Sequence, residues 1–212
     1  MRGRNRVKRR RHGGAPARRP GRRLRGRPGR RGRGSHAPLK VGVLISGEGT
    51  NLQALIDAPD IDVACVVSSR PDARGLERAA TAGIPAITTL SEEETAAFLE
   101  SHGVGLVVLA GYMRILSPEF VHRYSGRMLN VHPSLLPAFP GRTPIADALA
   151  HGVKVTGVTV HLVTAEVDAG PIVLQEAVEV PYDGDAVELE RRIHEVEHRL
   201  LPRAVREFGT SG

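Results

Sequence analysis

The chain contains few of the residue types that mark secreted, membrane-spanning or base-stacking proteins. Its 212 residues include one cysteine, no tryptophan and only 3% aromatic residues. The lone Cys65 excludes an internal disulfide, and its place in an apolar run predicts a buried thiol in a reducing, cytoplasmic compartment. No apolar run approaches the roughly 20 residues of a membrane-spanning helix. The basic N-terminus lacks the apolar segment of a secretory signal. We therefore expect a cytoplasmic protein without a membrane partner.

Acidic residues are absent from the first 38 positions, and this absence divides the chain in two. Residues 1–38 hold sixteen of the thirty Lys and Arg residues and no Asp or Glu. The remainder, 39–212, has 14 basic against 23 acidic residues, a net charge of −9. A segment rich in Arg, Gly and Pro has nothing with which to form a core. We therefore predict a disordered tail over 1–38 and one folded domain over 39–212.

The basic tail leaves two interpretations open. Its arginines would attract phosphate groups, which favours an arm that binds nucleic acid. However, residues 1–38 include no aromatic side chain to stack on bases. The other interpretation is a tail without function, translated upstream of a misassigned start codon. Because the domain itself is acidic, nucleic acid is expected as a partner only through the tail.

The order of apolar and polar segments predicts an α/β fold. Continuous apolar runs at 40–45 and 105–110 alternate with helical segments. Runs this continuous are typical of strands that are buried on both faces, so they predict a doubly wound, mostly parallel, Rossmann-like sheet with helices on both faces. Two extended segments, 156–163 and 172–180, are joined by a turn and predict an antiparallel C-terminal extension of the sheet. A long helix over 185–208 closes the chain.

The first polar segment that follows a strand is a Gly-rich turn. In open parallel sheets, ligands bind at the carboxyl ends of the strands. Residues 46–51, Ser-Gly-Glu-Gly-Thr-Asn, lie between the first strand and the first helix, where exposed N–H groups favour phosphate. The turn lacks the third glycine of a dinucleotide fingerprint and the Gly-Lys-Ser/Thr of an NTPase loop. A plain tight turn capped by Thr50 or Asn51 is the alternative.

The second group of chemical interest is Asn130, His132 and Asp168. Asn130 and His132 are two residues apart on an extended segment, so their side chains point the same way and suit one developing oxyanion. Asp168 lies in a turn, where most Asp residues satisfy backbone N–H groups. If that turn folds over His132, the carboxylate would stabilise an imidazolium. A metal site of His132, His161 and Asp168 is the alternative, but their spacing does not support it.

These motifs together resemble the phosphoribosylglycinamide formyltransferases, a folate-dependent family of purine synthesis. The block Asn-x-His-Pro-Ser-Leu-Leu-Pro at 130–137, with the later Asp-x-Gly at 168–170, is specific to folate formyltransferases. The turn Ser-Gly-x-Gly-Thr-Asn-Leu-Gln at 46–53 narrows the resemblance to the glycinamide enzymes. The matching segments cover nearly all of the domain, and they are 43–53, 107–117, 129–137, 157–161, 167–172 and 197–202.

The resemblance implies direct transfer of a formyl group from the co-substrate 10-formyltetrahydrofolate to the amine of phosphoribosylglycinamide. Asn130 and protonated His132 would stabilise the tetrahedral oxyanion, while Asp168 would keep His132 charged and organise a proton-carrying water. The family needs no metal, and we expect a monomer or a homodimer. Binding roles are implied for the phosphate at Gly49, Thr50 and Asn51, for the glycinamide at Glu197, for folate at Met113, Arg114, Ile115 and Leu116, and a supporting role for His161.

Two departures from the family pattern bear on activity. After Gly141 the family usually carries a His, which is missing from 142–149 and leaves His161 as the one supporting His. The family often has Ser-Arg-Glu where this chain has Ser-Glu-Glu-Glu at 91–94, so a basic contact near the substrate is in question. The alternative enzyme is a formyltetrahydrofolate hydrolase, which resembles the same domain but gives the formyl group to water.

Overall fold

Seven strands and six helices make up the part of the chain that the computed structural model describes, residues 39–210. The predicted tail, 1–38, lies outside these residues. The strands are β1 (Lys40–Ile45), β2 (Asp62–Ser68), β3 (Ala86–Thr88), β4 (Leu106–Leu109), β5 (Met128–His132), β6 (Val155–Leu162) and β7 (Ile172–Glu179). The helices are α1 (Thr50–Ile56), α2 (Gly75–Thr81), α3 (Glu92–Ser101), α4 (Pro118–Arg123), α5 (Pro144–Ala150) and α6 (Ala186–Thr210).

All seven strands form one sheet in the order β3-β2-β1-β4-β5-β6-β7. The pairs from β3 to β5 are parallel, whereas β6 and β7 are antiparallel additions. The predicted mostly parallel sheet with an antiparallel C-terminal extension is therefore confirmed. The strand order reverses between β1 and β4, so the loops after these two strands diverge. A crevice at the carboxyl ends of the strands is expected at this position.

Both faces of the sheet are covered by apolar side chains. Along β1, Val43 and Ile45 belong to one core cluster, whereas Leu44 belongs to the cluster on the opposite face. All three are completely buried. Burial of one such side chain stabilises the fold by about 1.5–3 kcal/mol. Strands that are buried on both faces explain why the sequence shows continuous apolar runs instead of alternation.

The last helix, α6, brings a polar group to the crevice. The side chain of Asp185 accepts hydrogen bonds from the N–H groups of Val187 and Glu188, at 2.9 and 3.2 Å, and so caps the helix start. Buried residues recur every three or four positions, which gives one apolar stripe against the sheet. Glu197 lies among this stripe and is 5% exposed. The stripe consists of Leu189, Ile193, Val196, Leu200, Leu201, Ala204 and Val205.

The short helix α5 was not predicted from the sequence. It has only seven residues, too few for a clear helical period. Pro144 stands in its first turn, where proline is favoured because the missing N–H is not needed. Pro144, directly after Thr143, was the one feature of the sequence that indicated the start of a helix here. The helix matters because it borders the crevice.

The single cysteine behaves as predicted. Cys65 on β2 is fully buried, and burial raises the pKa of its thiol to about 11. The thiol is therefore protonated at neutral pH and is a poor nucleophile.

Over residues 39–210, the structure contains no helix with the length and apolar character needed to cross a membrane.

Close packing at Gly157 generates a stability prediction. A Cβ atom there would lie 2.3 Å from the Glu176 carbonyl oxygen and 2.5 Å from the Leu135 side chain. We expect Gly157→Ala to lower the free energy of unfolding by about 1–3 kcal/mol, as other overpacked sites do. Urea denaturation measures this. Gly47→Ala is the matched control, because its Cβ meets no atom within 4 Å. Equal stability of the two variants would contradict the close approach of β6 to its neighbours.

Candidate active site

Three segments of the predicted site meet at the carboxylate of Asp168. Asn130 and His132 lie on the same side of β5, as their spacing predicts. The Asn130 Nδ2 atom is 3.5 Å from Asp168 Oδ1, and His132 Nδ1 is 3.5 Å from Asp168 Oδ2. His161 Nε2 is 3.6 Å from Asp168 Oδ1. The structure thus brings together the four residues that the sequence proposed for the reaction centre.

The ring of His132 is fixed from its far side. Its Nε2 atom is 2.8 Å from the backbone carbonyl oxygen of Phe139. A carbonyl oxygen only accepts hydrogen bonds, so Nε2 must carry the proton. Nδ1 is then the nitrogen that faces Asp168 and the crevice. Of the two ring nitrogens of His132, only Nδ1 therefore remains for the predicted contact with an oxyanion.

His161 is placed by the antiparallel pairing of β6 with β5, in which it lies opposite Asn130. Its Nδ1 donates to the Leu162 carbonyl oxygen at 2.9 Å. In the neutral ring, Nε2 accepts a hydrogen bond from the Asn130 amide at 3.2 Å. The antiparallel extension therefore sets the orientation of the Asn130 side chain, since the Nδ2 end must face both His161 and Asp168.

Asp168 occupies a constrained turn. Its φ of 55° is left-handed, a region that Asp enters more readily than most residues. Two residues later a Cβ at Gly170 would lie 1.8 Å from the Leu162 carbonyl oxygen, so this position requires glycine. The Gly141 N–H donates to Asp168 Oδ2 at 2.8 Å. These contacts explain the Asp-x-Gly motif: the turn holds the carboxylate against β5.

The carboxylate of Asp168 is ionised at neutral pH. Burial acts to raise its pKa, but the contact with His161, the hydrogen bond from the Gly141 N–H and the charge on His132 when protonated outweigh burial and lower the pKa. Both carboxylate oxygens thus have partners without the His that the family usually carries after Gly141. Although two histidines approach this carboxylate, no group of three His, Cys, Asp or Glu side chains among the described residues is arranged to hold a metal ion.

One cavity of about 650 Å³ adjoins the Gly-rich turn. Gly49 begins α1 with a φ of 69°, and a Cβ there would lie 2.6 Å from the Gly75 Cα. Neither Thr50 nor Asn51 caps the helix, so the side-chain cap in the alternative interpretation of this turn is wrong. Asn51 Nδ2 instead donates to Glu197 Oε2 at 2.8 Å, which joins the turn to α6. Thr50, Asn51 and Glu197, all predicted for substrate binding, line this cavity.

A second cavity, of about 570 Å³, adjoins the loop after β4. Met113, Arg114, Ile115 and Leu116 line it, together with Asn130, His132, His161 and Asp168. The apolar side chains of Met113 and Ile115 are 62% and 79% exposed, unusually high for their type. The Arg114 guanidinium donates to the Leu90 carbonyl oxygen at 2.8 Å. An apolar mouth with a few polar groups inside is typical of a site for a small organic ligand.

The two cavities share a wall. Gly111, Met113, Val131, Pro133, Arg142 and Pro144 line both of them. Ligands in the two cavities would therefore meet beside β5, at the reaction centre. Arg142 is the one charged residue in this wall, and sequence reasoning missed it. The one feature of the sequence that pointed to Arg142 was its place in the stretch 142–149, which departs from the family pattern.

The acidic residues at 92–94 do not replace a basic contact in either cavity. Glu92 accepts hydrogen bonds from the backbone N–H of Ser117, at 2.9 Å, and from its hydroxyl. Glu94 accepts from the Thr89 hydroxyl. Neither residue lines the two cavities. These carboxylates therefore stabilise the loops around α3 and α4.

The buried Glu197 generates a pH prediction. Burial raises its pKa, and the hydrogen bond from Asn51 only partly opposes this. A raised pKa means that ionising Glu197 destabilises the fold above the unfolded value near 4.5. We expect the neutral Glu197→Gln variant to melt about 2–4 °C higher at pH 7. The difference should vanish as the pH falls below 4, where both forms are neutral. A difference that persists at acidic pH would contradict this origin.

The chain matches known proteins along most of its described length. A family model described as formyl transferase matches residues 39–205. Phosphoribosylglycinamide formyltransferase of Mycobacterium tuberculosis is 47% identical, over 83% of this chain and 87% of that protein. The crystal structure of glycinamide ribonucleotide transformylase 1 from Symbiobacterium toebii superimposes with a TM-score of 0.79 at 48% identity, over 82% and 88% of the two chains.

A longer relative matches through one part only. The trifunctional purine biosynthetic protein adenosine-3 of Drosophila melanogaster is 43% identical over 78% of this chain. The chain spans only 14% of that relative's length.

Proposed function

Since this chain belongs to the phosphoribosylglycinamide formyltransferases of the formyl transferase family, we propose that it transfers the formyl group of 10-formyltetrahydrofolate to the amine of phosphoribosylglycinamide through Asn130, His132 and Asp168. One observation carries this proposal: the three side chains lie together where two adjoining cavities meet. Such an arrangement brings two substrates together at one set of polar groups, as direct transfer requires.

The two cavities differ in character, and this supports an assignment of substrates. The cavity beside Gly49, Thr50 and Asn51 also has apolar walls, but it alone is bordered by the Gly-rich turn and by Glu197, which bonds to Asn51. It takes the phosphorylated glycinamide. The cavity beside Met113 and Ile115 exposes apolar side chains and takes the folate. The formyl group then lies next to Asn130 and His132, and the amine enters from the first cavity.

The reaction proceeds through a tetrahedral intermediate. The amine attacks the formyl carbon, a C–N bond forms, and negative charge develops on the formyl oxygen. In protonated His132, Nδ1–H donates to this oxygen, because Nε2–H is already bonded to the Phe139 carbonyl oxygen. The contact of Asn130 Nδ2 with Asp168 is long, at 3.5 Å, and the amide turns from it to donate to the same oxygen. A water held by Asp168 carries the amine proton to the folate nitrogen, and that C–N bond breaks.

The cysteine content of the chain bears on its compartment. A reducing, cytoplasmic location is favoured by the single cysteine, which is buried and unpaired.

Substitution of either His132 or Asp168 should slow the chemical step. We expect His132→Ala and Asp168→Asn each to lower kcat by about 100-fold or more, because each removes a group that acts in the transition state. Tetrahydrofolate release that depends on phosphoribosylglycinamide, followed by absorbance, gives the rate. Folate affinity of Asp168→Asn, measured separately by calorimetry, should stay within about threefold of wild type. Near-native kcat in both variants would contradict the assigned roles.

Arg142 provides the counter-charge for the substrate phosphate in this proposal. Three carboxylates line the cavity beside the Gly-rich turn, those of Glu48, Glu190 and Glu197. The carboxylate of Glu48 is paired with Arg74 at 3.2 Å. Arg142 is the one Arg or Lys side chain among the described residues that line it. Arg142 makes no side-chain hydrogen bond or ion pair within residues 39–210. An available guanidinium suits a phosphate, which accepts two parallel hydrogen bonds.

We therefore expect Arg142→Leu to raise the KM for phosphoribosylglycinamide about tenfold, a loss of about 1.4 kcal/mol of binding. The KM for 10-formyltetrahydrofolate should change by less than about twofold. Arg142→Lys is the matched variant, which keeps the charge but not the paired donors. Its KM for phosphoribosylglycinamide should therefore lie between those of wild type and Arg142→Leu. A selective rise in the folate KM would place Arg142 on the other substrate instead.

A further inference from the structure

Residues 138–141, four residues of the longer loop between β5 and α5, hold both His132 and Asp168 through their backbone. The Phe139 carbonyl oxygen accepts from His132 Nε2 at 2.8 Å. The Gly141 N–H donates to Asp168 Oδ2 at 2.8 Å. Only Pro140 separates the two peptide groups. The distance between the imidazole and the carboxylate is therefore set by this loop as well as by the sheet.

Phe139 has an unusual backbone conformation. Its φ is 53°, in the left-handed region that bulky L-residues rarely adopt. It also precedes Pro140, whose ring further restricts the residue before it. Conformations of this kind persist only where surrounding contacts impose them, and they concentrate at functional sites.

Several contacts impose this conformation. The Ser134 hydroxyl donates to the Ala138 carbonyl oxygen at 2.5 Å, and the Ala138 N–H donates to the Leu135 carbonyl oxygen at 3.0 Å. The Phe139 ring packs against His151 with centroids 5.2 Å apart. With Ala138 held and the ring packed, the Phe139 carbonyl is directed at His132.

We propose that Phe139 is a positioning residue for formyl transfer: its left-handed backbone aims a carbonyl oxygen that keeps one proton of His132 on Nε2 and turns Nδ1, which donates once it takes up a second proton, toward the reacting formyl group. This inference rests on the proposed function and adds a residue to it. Phe139 lines neither substrate cavity and acts only through His132. Without the carbonyl, the imidazole would gain a second tautomer and a second ring orientation, and a smaller fraction of molecules would present the productive nitrogen.

The tautomer is measured first, because it does not depend on activity. Long-range ¹H–¹⁵N correlation spectra of the ¹⁵N-labelled full chain report which ring nitrogen carries the proton, and His132→Ala assigns the signal. At a pH where the ring is neutral, we expect His132 as the Nε2–H tautomer. The Nδ1–H tautomer in the wild-type protein would overturn the proposal.

Substitution of Phe139 then tests the backbone. Phe139→Val keeps an apolar side chain, but β-branching disfavours positive φ. We expect its kcat to fall about tenfold or more, both KM values to stay within about twofold, and the Nε2–H signal to become a tautomer mixture. Phe139→Gly, which adopts positive φ without strain, should recover at least half of the lost rate on a logarithmic scale and restore the tautomer. Recovery by Gly shows that the backbone matters and the ring does not.

A double-mutant comparison separates positioning from general destabilisation. In a His132→Ala background, Phe139→Val should reduce kcat by less than about twofold, because the group through which it acts is gone. A second full tenfold loss in that background would overturn the proposal, as would wild-type kcat in Phe139→Val. The proposed function fails separately: a wild-type chain that shows the Nε2–H tautomer but forms no product with phosphoribosylglycinamide would refute the reaction and leave the hydrogen-bond geometry intact.

Discussion

The buried carboxylate of Asp168 joins parts of the chain that are distant in sequence. One oxygen faces Asn130 on β5 and His161 on β6, and the other faces His132 and the Gly141 N–H. These partners lower its pKa against the effect of burial. An ionised carboxylate here is stable only because every one of these groups is in place, since an unpaired buried charge is costly. The antiparallel strands β6 and β7, the turn at Asp168 and the loop 138–141 all serve that arrangement.

The sheet topology explains why two cavities adjoin this carboxylate. The strand order reverses between β1 and β4, so the Gly-rich turn after β1 and the apolar loop after β4 diverge around one crevice. The two loops remain tied together, since the Met113 N–H donates to the Ser46 hydroxyl at 2.8 Å. Glu197 reaches the same crevice from α6, which packs across the sheet. A site between two substrates thus follows from a parallel sheet extended by two antiparallel strands.

Most of the fold was predictable because buried parallel strands leave continuous apolar runs, and the bounds of β1 agree with the predicted run at 40–45. Asn130, His132 and Asp168 were recognisable through a dense local motif. Contacts made by backbone atoms were not recognisable, because the Phe139 carbonyl and the Gly141 N–H leave no trace in side-chain chemistry. The helix α5 was too short to show a period. Arg142 was noticed only as a departure from the family pattern, since its role depends on a cavity wall that forms in three dimensions.

Direct passage of the formyl group from folate to an amine is what distinguishes the proposed transferase from a hydrolase. The most direct test follows the carbon itself: the full chain is incubated with 10-formyltetrahydrofolate that carries ¹³C in the formyl group, with phosphoribosylglycinamide, and products are observed by ¹³C NMR. Direct transfer predicts that the label appears in the formamide of the nucleotide, in amounts equal to the tetrahydrofolate formed, with no lag and no formate. Label that appears as free formate, at a rate independent of the glycinamide, would contradict transfer and indicate a hydrolase.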